Sequence, residues 1–99
     1  MSEKMKLELT RIFEAVIRAQ MIKGEKKMAS LLDVRAMLEN DGYEYATQEI
    51  IDYLSRMITL KLIKFYDASP SGVRFYGATA FGKRRWAERS VEQVTEKEV

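Results

Sequence analysis

The stretch from Thr47 to Ala78, TQEIIDYLSRMITLKLIKFYDASPSGVRFYGA, changes its period once, and that change decides the fold. Ile50, Ile51, Leu54, Met57 and Ile58 recur at three- and four-residue steps, which predicts a helix starting about Ala46 or Thr47 with those side chains inward. Its opposite face carries Gln48, Glu49, Asp52, Ser55, Arg56 and Thr59. After Lys61 the helical spacing stops. Leu62–Asp67 and Val73–Ala78 are rich in aromatic and β-branched residues, and Ala68-Ser69-Pro70-Ser71-Gly72 between them has the composition of a hairpin loop.

Upstream, Asn40-Asp41-Gly42 is a turn signal that closes a preceding helix. That helix is expected to start at Ser30, an N-cap residue with Asp33 three positions on, with Leu31, Leu32, Val34, Met37 and Leu38 following at helical spacing. Met28-Ala29 reads as a short extended link. Residues 4–22 form a first helix, with Met5, Leu9, Ile12, Val16 and Ala19 as its main stripe and Leu7, Phe13 and Ile17 widening it. It stops near Gly24, where Lys23, Lys26 and Lys27 suit a helix C-terminus. Downstream, Thr79 can cap a fourth helix running through Trp86, Ala87, Val91 and Val94 into a charged tail. The order is helix, helix, tight turn, helix, hairpin, helix. This is an α+β, mainly α arrangement: a winged helix-turn-helix with a three-helix core, a two-stranded wing and a C-terminal helix. Residues 1–99 are expected to make a single domain, ordered over about residues 4–94.

Composition narrows the chemistry. Apolar residues are 46% of the chain and charged residues 32%, as in an ordinary globular domain. Cysteine and histidine are both absent, which removes disulfides, thiolate nucleophiles, the usual zinc sites and Ser-His pairs. Gly24, Gly42 and Gly72 are turn residues, Gly77 and Gly82 flank the cap of the fourth helix, and none belongs to a phosphate-cradling motif. No enzymatic activity, cofactor or metal is expected. No apolar run approaches the ~20 residues of a membrane span, Met1–Lys6 leads into no signal-peptide core, and the apolar stripe of the fourth helix is narrow. A cytoplasmic protein without membrane contact is the expectation.

At Leu54–Tyr66 and Tyr76–Trp86 the chain resembles the winged helix-turn-helix transcriptional regulators of bacteria and archaea. In that family a Leu-x-x-x-Gly-Leu-Ile pattern leads from the third helix into the wing; here Met57 precedes Lys61-Leu62-Ile63-Lys64. The strand after the wing closes there with Tyr-x-Leu-Thr-x-x-Gly and basic residues, matched by Tyr76-Gly77-Ala78-Thr79-Ala80-Phe81-Gly82-Lys83-Arg84. The likeness spans about residues 8–90. Lys61 stands where the family has Gly, so the exit from the helix is expected to differ, and Ala78 replaces Leu with a smaller core contact. The resemblance implies sequence-directed binding to double-stranded DNA as a dimer, with the third helix in the major groove and the wing on the minor groove or backbone. Small stand-alone domains of this kind are common in archaea and their viruses.

The charge layout divides the labour. Residues 41–60 hold Asp41, Glu44, Glu49 and Asp52 against Arg56, a net of −3, whereas residues 61–89 hold seven cations against Asp67 and Glu88, a net of +5. Phosphate contacts dominate non-specific affinity, so Lys64, Arg74, Lys83, Arg84 and Arg85, with Lys26 and Lys27, are the backbone candidates. Tyr45, Thr47, Gln48 and Arg56 are the base-reading candidates: Gln48 suits adenine, Arg56 suits guanine or phosphate, and Tyr45 a phosphate or thymine methyl. The bland alternative for Arg56 is an i,i+4 surface pair with Asp52. Of the wing aromatics Phe65, Tyr66, Phe75 and Tyr76, two are expected to be buried, since alternate strand residues cover the core. Leu7, Phe13, Ile17, Trp86, Val91 and Val94 are candidates for a homodimer contact. The competing reading is a protein-interaction module whose acidic third helix docks a basic partner.

Overall fold

The computed structural model describes residues 3–24, 27–68 and 72–88. Helix α1 (Glu3–Lys23) has Glu3 in its first turn and Lys23 in its last, both matched to the helix dipole. It is followed by a two-residue strand, β1 (Ala29–Ser30), and by α2 (Leu31–Asn40). Ser30 caps α2 through a complete capping box: its hydroxyl accepts from the Asp33 N–H at 3.2 Å and the Asp33 carboxylate accepts from the Ser30 N–H at 2.9 Å. Burial opposes ionisation of Asp33, but its ion pair with Lys23 and the bonds from Ser30 outweigh that and hold the carboxyl below its ordinary value. The far end of α2 closes at Gly42, whose φ of +87° lets the Gly42 and Tyr43 N–H groups reach the carbonyls of Glu39 and Leu38.

Helix α3 (Thr47–Thr59) turns Ile50, Leu54 and Met57 fully inward. It exits through a Schellman motif: Lys61 N–H bonds the Ile58 carbonyl at 3.0 Å and Leu62 N–H bonds the Met57 carbonyl at 2.9 Å. Lys61 therefore makes the same left-handed exit expected only of glycine, at φ +63°. The expectation of a different exit is corrected, and the reason is that Leu62 must turn back into the core, so the tertiary structure imposes the conformation on whatever residue stands there.

Strands β2 (Ile63–Ala68) and β3 (Val73–Ala78) form the ribbon, paired antiparallel from Ile63↔Ala78 out to Ala68↔Val73. The sheet has three strands in the order β1-β3-β2, because Ala29 pairs with Tyr76 and Ser30 with Phe75. The Met28-Ala29 link is thus a true edge strand. A fourth helix, α4, occupies 80–88 among the described residues. Thr79 caps it, its hydroxyl accepting from the Gly82 N–H at 2.9 Å and donating to the Lys61 carbonyl at 2.6 Å.

The core is a single cluster. Ile12 and Val16 of α1 meet Val34 and Leu38 of α2, Ile50, Leu54 and Met57 of α3, and Ile63, Tyr76 and Ala78 of the sheet. Because α1 packs against α2, α3 and β3, its buried surface spreads beyond one stripe, and Phe13 and Ile17 are 5% and 8% exposed. Gln20 is the buried polar residue; its Oε1 accepts from the Ala78 N–H at 2.8 Å and its Nε2 donates to the Lys27 carbonyl at 3.3 Å. Gly77 lets it in, since a Cβ there would sit 2.9 Å from Gln20 Nε2. Gly82 is more constrained still: a Cβ would overlap the Leu62 carbonyl oxygen.

Two stability outcomes are expected. Lys61→Gly removes a left-handed cost of roughly 1 kcal/mol, partly offset by the freer unfolded chain, and should raise the thermal midpoint by about 2–5 °C. Lys61→Val should lower it, because a β-branched residue resists positive φ. Gly82→Ala should destabilise by about 2 kcal/mol or more in a denaturant titration, since its neighbour is backbone and cannot move aside cheaply.

Candidate nucleic-acid interface

The front edge of α3 begins at an unusual cap. Ala46 occupies the N-cap and has no side chain to offer, so the helix start is held from the other direction, by Glu49 Oε1 accepting from the Ala46 N–H at 3.2 Å. Glu49 therefore has a structural role in the first turn, where a negative charge also suits the dipole. Asp52 accepts from the Gln48 side-chain amide at 2.9 Å. This replaces the Asp52–Arg56 ion pair considered from spacing: Gln48 lies one turn the other way and takes the carboxylate. Arg56 is exposed and enters no ion pair among the described residues.

The remaining base-reading candidates are also engaged. Thr47 accepts at its hydroxyl from Arg35 of α2 at 3.0 Å, and the same guanidinium pairs with Glu39 at 3.1 Å. Arg35 was missed in the sequence because its i,i+4 spacing to Glu39 reads as an ordinary surface pair; only the approach of α3 brings it to the helix start. Tyr45 lies beside Arg11 of α1 and raises the arginine pKa above its ordinary value, and the Arg11 guanidinium lies 4.4 Å from the centre of the Tyr43 ring. Tyr53 donates to Glu8 of α1 at 2.5 Å across 45 residues of sequence. That bond, with burial and the Glu8 charge behind it, pushes the Tyr53 phenol up to about 12.

The ribbon's cations fall into two places. Arg74 lies near the tip, opposite Asp67, to which it is ion-paired at 2.9 Å, and its guanidinium sits 5.2 Å from the Phe65 ring centre. Lys83, Arg84 and Arg85 lie at the base, on the first turns of α4, and Arg85 approaches Glu88 at 3.9 Å. Four residues of strand, about 13 Å, run between Arg74 and the end of β3, so the structure does not merge these cations into one patch. Lys64 is exposed near the base, beside the partner position Gly77. Lys27 is exposed; Lys26 lies outside the described residues.

Of the four wing aromatics, Tyr76 alone is buried. Phe75 is half-buried, and Phe65 and Tyr66 are 44% and 63% exposed. The expected pair of buried aromatics is corrected: Phe65 lies directly opposite Tyr76 on the same face, but β3 is the inner strand, packed by β1 and α1, whereas β2 is the outer edge of the sheet and its aromatics stay open to solvent. Between ribbon and helices lies an apolar crook of about 450 Å³ lined by Leu31, Leu32, Ile51, Val73 and Tyr76.

The proposed dimer residues divide as well. Phe13 and Ile17 are corrected to core residues, buried by α1's multiple neighbours. Leu7 is exposed, together with Met21 and Ile22, which the sequence reading did not select. Trp86 is half-buried against Leu9, Phe13 and Leu62 in a cleft of about 300 Å³, and Val91 and Val94 lie outside the described residues. No helix among the described residues is long and apolar enough to cross a membrane.

This arrangement of helix-turn-helix, three-stranded sheet and ribbon is a winged helix-turn-helix fold. Among solved structures it is similar to the X-ray structure of a PadR-like transcription factor from Bacteroides fragilis, with a TM-score of 0.77 over 96% of this chain and 87% of that one, at 15% sequence identity. No family model matches the chain, and no curated protein matches it.

A titration of phenol absorbance should show a step near pH 12 that belongs to Tyr53. The late step should vanish in Tyr53→Phe and fall toward 10 in Glu8→Ala. Because the folded pKa is raised, the bond's stabilisation is present below pH 10 and is lost as pH rises through about 12. The stability deficit of Tyr53→Phe should narrow over the same window.

Proposed function

We propose that this chain is a non-enzymatic regulator that binds specific sites in double-stranded DNA as a homodimer, with α3 in the major groove and the ribbon along the backbone or minor groove. The observation that carries the reading is the exposed front edge of α3, Thr47, Gln48 and Arg56, standing beside a cation-bearing ribbon in the fold of a PadR-like transcription factor. Arg35, Lys64, Lys83 and Arg84 supply phosphate contacts, and Gln48 with Arg56 reads base edges. Glu49 and Asp52 keep their negative charge, but each carboxylate is engaged within the helix, one holding the helix start and the other holding Gln48. Exposed Leu7, Met21 and Ile22 and half-buried Trp86 supply the dimer surface. Such a protein works wherever the cell's or a virus's DNA lies, in the cytoplasm.

A second reading has its own support. The crook between ribbon and helices is lined by Leu31, Leu32, Ile51 and Val73, with Leu32 74% exposed, and an exposed apolar surface of that kind suits a protein partner.

Salt separates the two. Affinity for random duplex should fall steeply with salt, with a log–log slope of about 0.9 per phosphate contact. Neutralising Lys64, Lys83 and Arg84 together should weaken duplex binding by about tenfold or more while circular dichroism and thermal midpoint stay close to wild type. Undiminished affinity in that variant favours the protein-interaction module. Gln48→Ala should change the sites recovered from a random oligonucleotide pool more than it changes overall affinity.

A further inference from the structure

The apolar stripe of α3 anchors the helix but does not orient it. Ile50, Leu54 and Met57 are buried by non-directional contact, which tolerates small rotations about the helix axis and small slides along it. The N-terminal cap contributes no side chain from Ala46, and the segment 43–46 leading into it has no regular structure. Directional hold comes from elsewhere. Glu8 and Arg11, three residues apart on one face of α1, reach across to α3 and the chain that enters it: Glu8 accepts from Tyr53 in the middle of α3, while the Arg11 guanidinium lies over the Tyr43 ring just ahead of it. Hydrogen bonds to a charged partner are directional and roughly twice as strong as neutral ones. These contacts fix both the azimuth of α3 and the chain that enters it.

We propose that Glu8 and Arg11, acting through Tyr53 and Tyr43, set the orientation in which α3 presents its front edge, and so determine specificity although neither lies on that edge. They are positioning residues. The inference rests on the duplex-binding reading for its consequence, but its geometric part stands on α1 and α3 alone.

The test uses the full chain and a duplex selected by it from a random pool. Glu8→Ala and Tyr53→Phe should lower the ratio of selected-site to random-duplex affinity by about three- to tenfold at fixed salt. Random-duplex affinity should stay at the wild-type level, because the phosphate-binding cations are untouched. Glu8→Gln keeps an acceptor for the Tyr53 hydroxyl and should recover most of the ratio. A merely structural bond would instead lower both affinities together with the thermal midpoint, and that result, or an unchanged ratio in both variants, overturns the proposal. Amide resonances of residues 47–59 without DNA give a second readout. Shifts spread along α3 in Tyr53→Phe support reorientation, and shifts confined to Tyr53 and its immediate neighbours overturn it. Should the wild-type protein select no duplex at all, the regulator reading fails on that result, and the resonances still decide whether Glu8 orients α3.

Discussion

Three elements share a few ångströms of backbone at Leu62. Its N–H closes α3 by bonding the Met57 carbonyl, and its own carbonyl accepts from the Thr79 N–H at 3.0 Å. The Thr79 hydroxyl, which caps α4, also reaches the carbonyls of Lys61 and Leu62, and Gly82 closes against the latter. A backbone carbonyl shielded from water needs a partner, and here satisfying it is the same event as docking the end of the ribbon and the start of α4 onto the exit of α3. The placement of the wing beside the front edge of α3 follows from this junction. It also gives physical content to the Thr-x-x-Gly spacing: threonine supplies the cap and the tie, and glycine supplies the room.

The other organising element is α1. In a smaller role it would be one wall of a three-helix core, but it touches α2, α3 and the sheet, and it carries polar ties to all three. Gln20 joins it to β3 and to the loop before β1, in a gap that exists because Gly77 has no side chain. Glu8 and Arg11 join it to α3 and its lead-in. Apolar packing supplies the bulk of the stability, while these directional bonds select one arrangement among the many that would bury similar area.

The acidic character of α3 takes on a different meaning once its side chains are placed. Glu49 and Asp52, read as formal charges, argue against an approach to phosphate; read as hydrogen-bond acceptors, they hold the helix start and Gln48. The cations are likewise of two kinds. Arg74 is tied to Asp67 near the ribbon tip, whereas Lys83 and Arg84 stand exposed at the base and make no ion pair among the described residues. Net charge by segment identifies which region is basic, and pairing decides which members of it are available.

Local chemistry was legible in the chain itself. The three- and four-residue apolar spacing, the Ser30–Asp33 box, the Gly42 turn and the change of period after Lys61 specify the order of elements and most of the core, because each depends on residues within one or two turns of one another. Four features depended on distant parts of the chain meeting. Phe13 and Ile17 are core because α1 has neighbours on several sides; Lys61 is left-handed because Leu62 must re-enter the core; Phe65 and Tyr66 are exposed because β2 is the outer strand of the sheet, away from α1; and Tyr43 and Tyr53 are held because α1 passes within reach of them. Periodicity shows which face of an element is apolar, but how many neighbours that face meets, and which polar groups come within 3 Å across 45 residues, is set only when the elements pack.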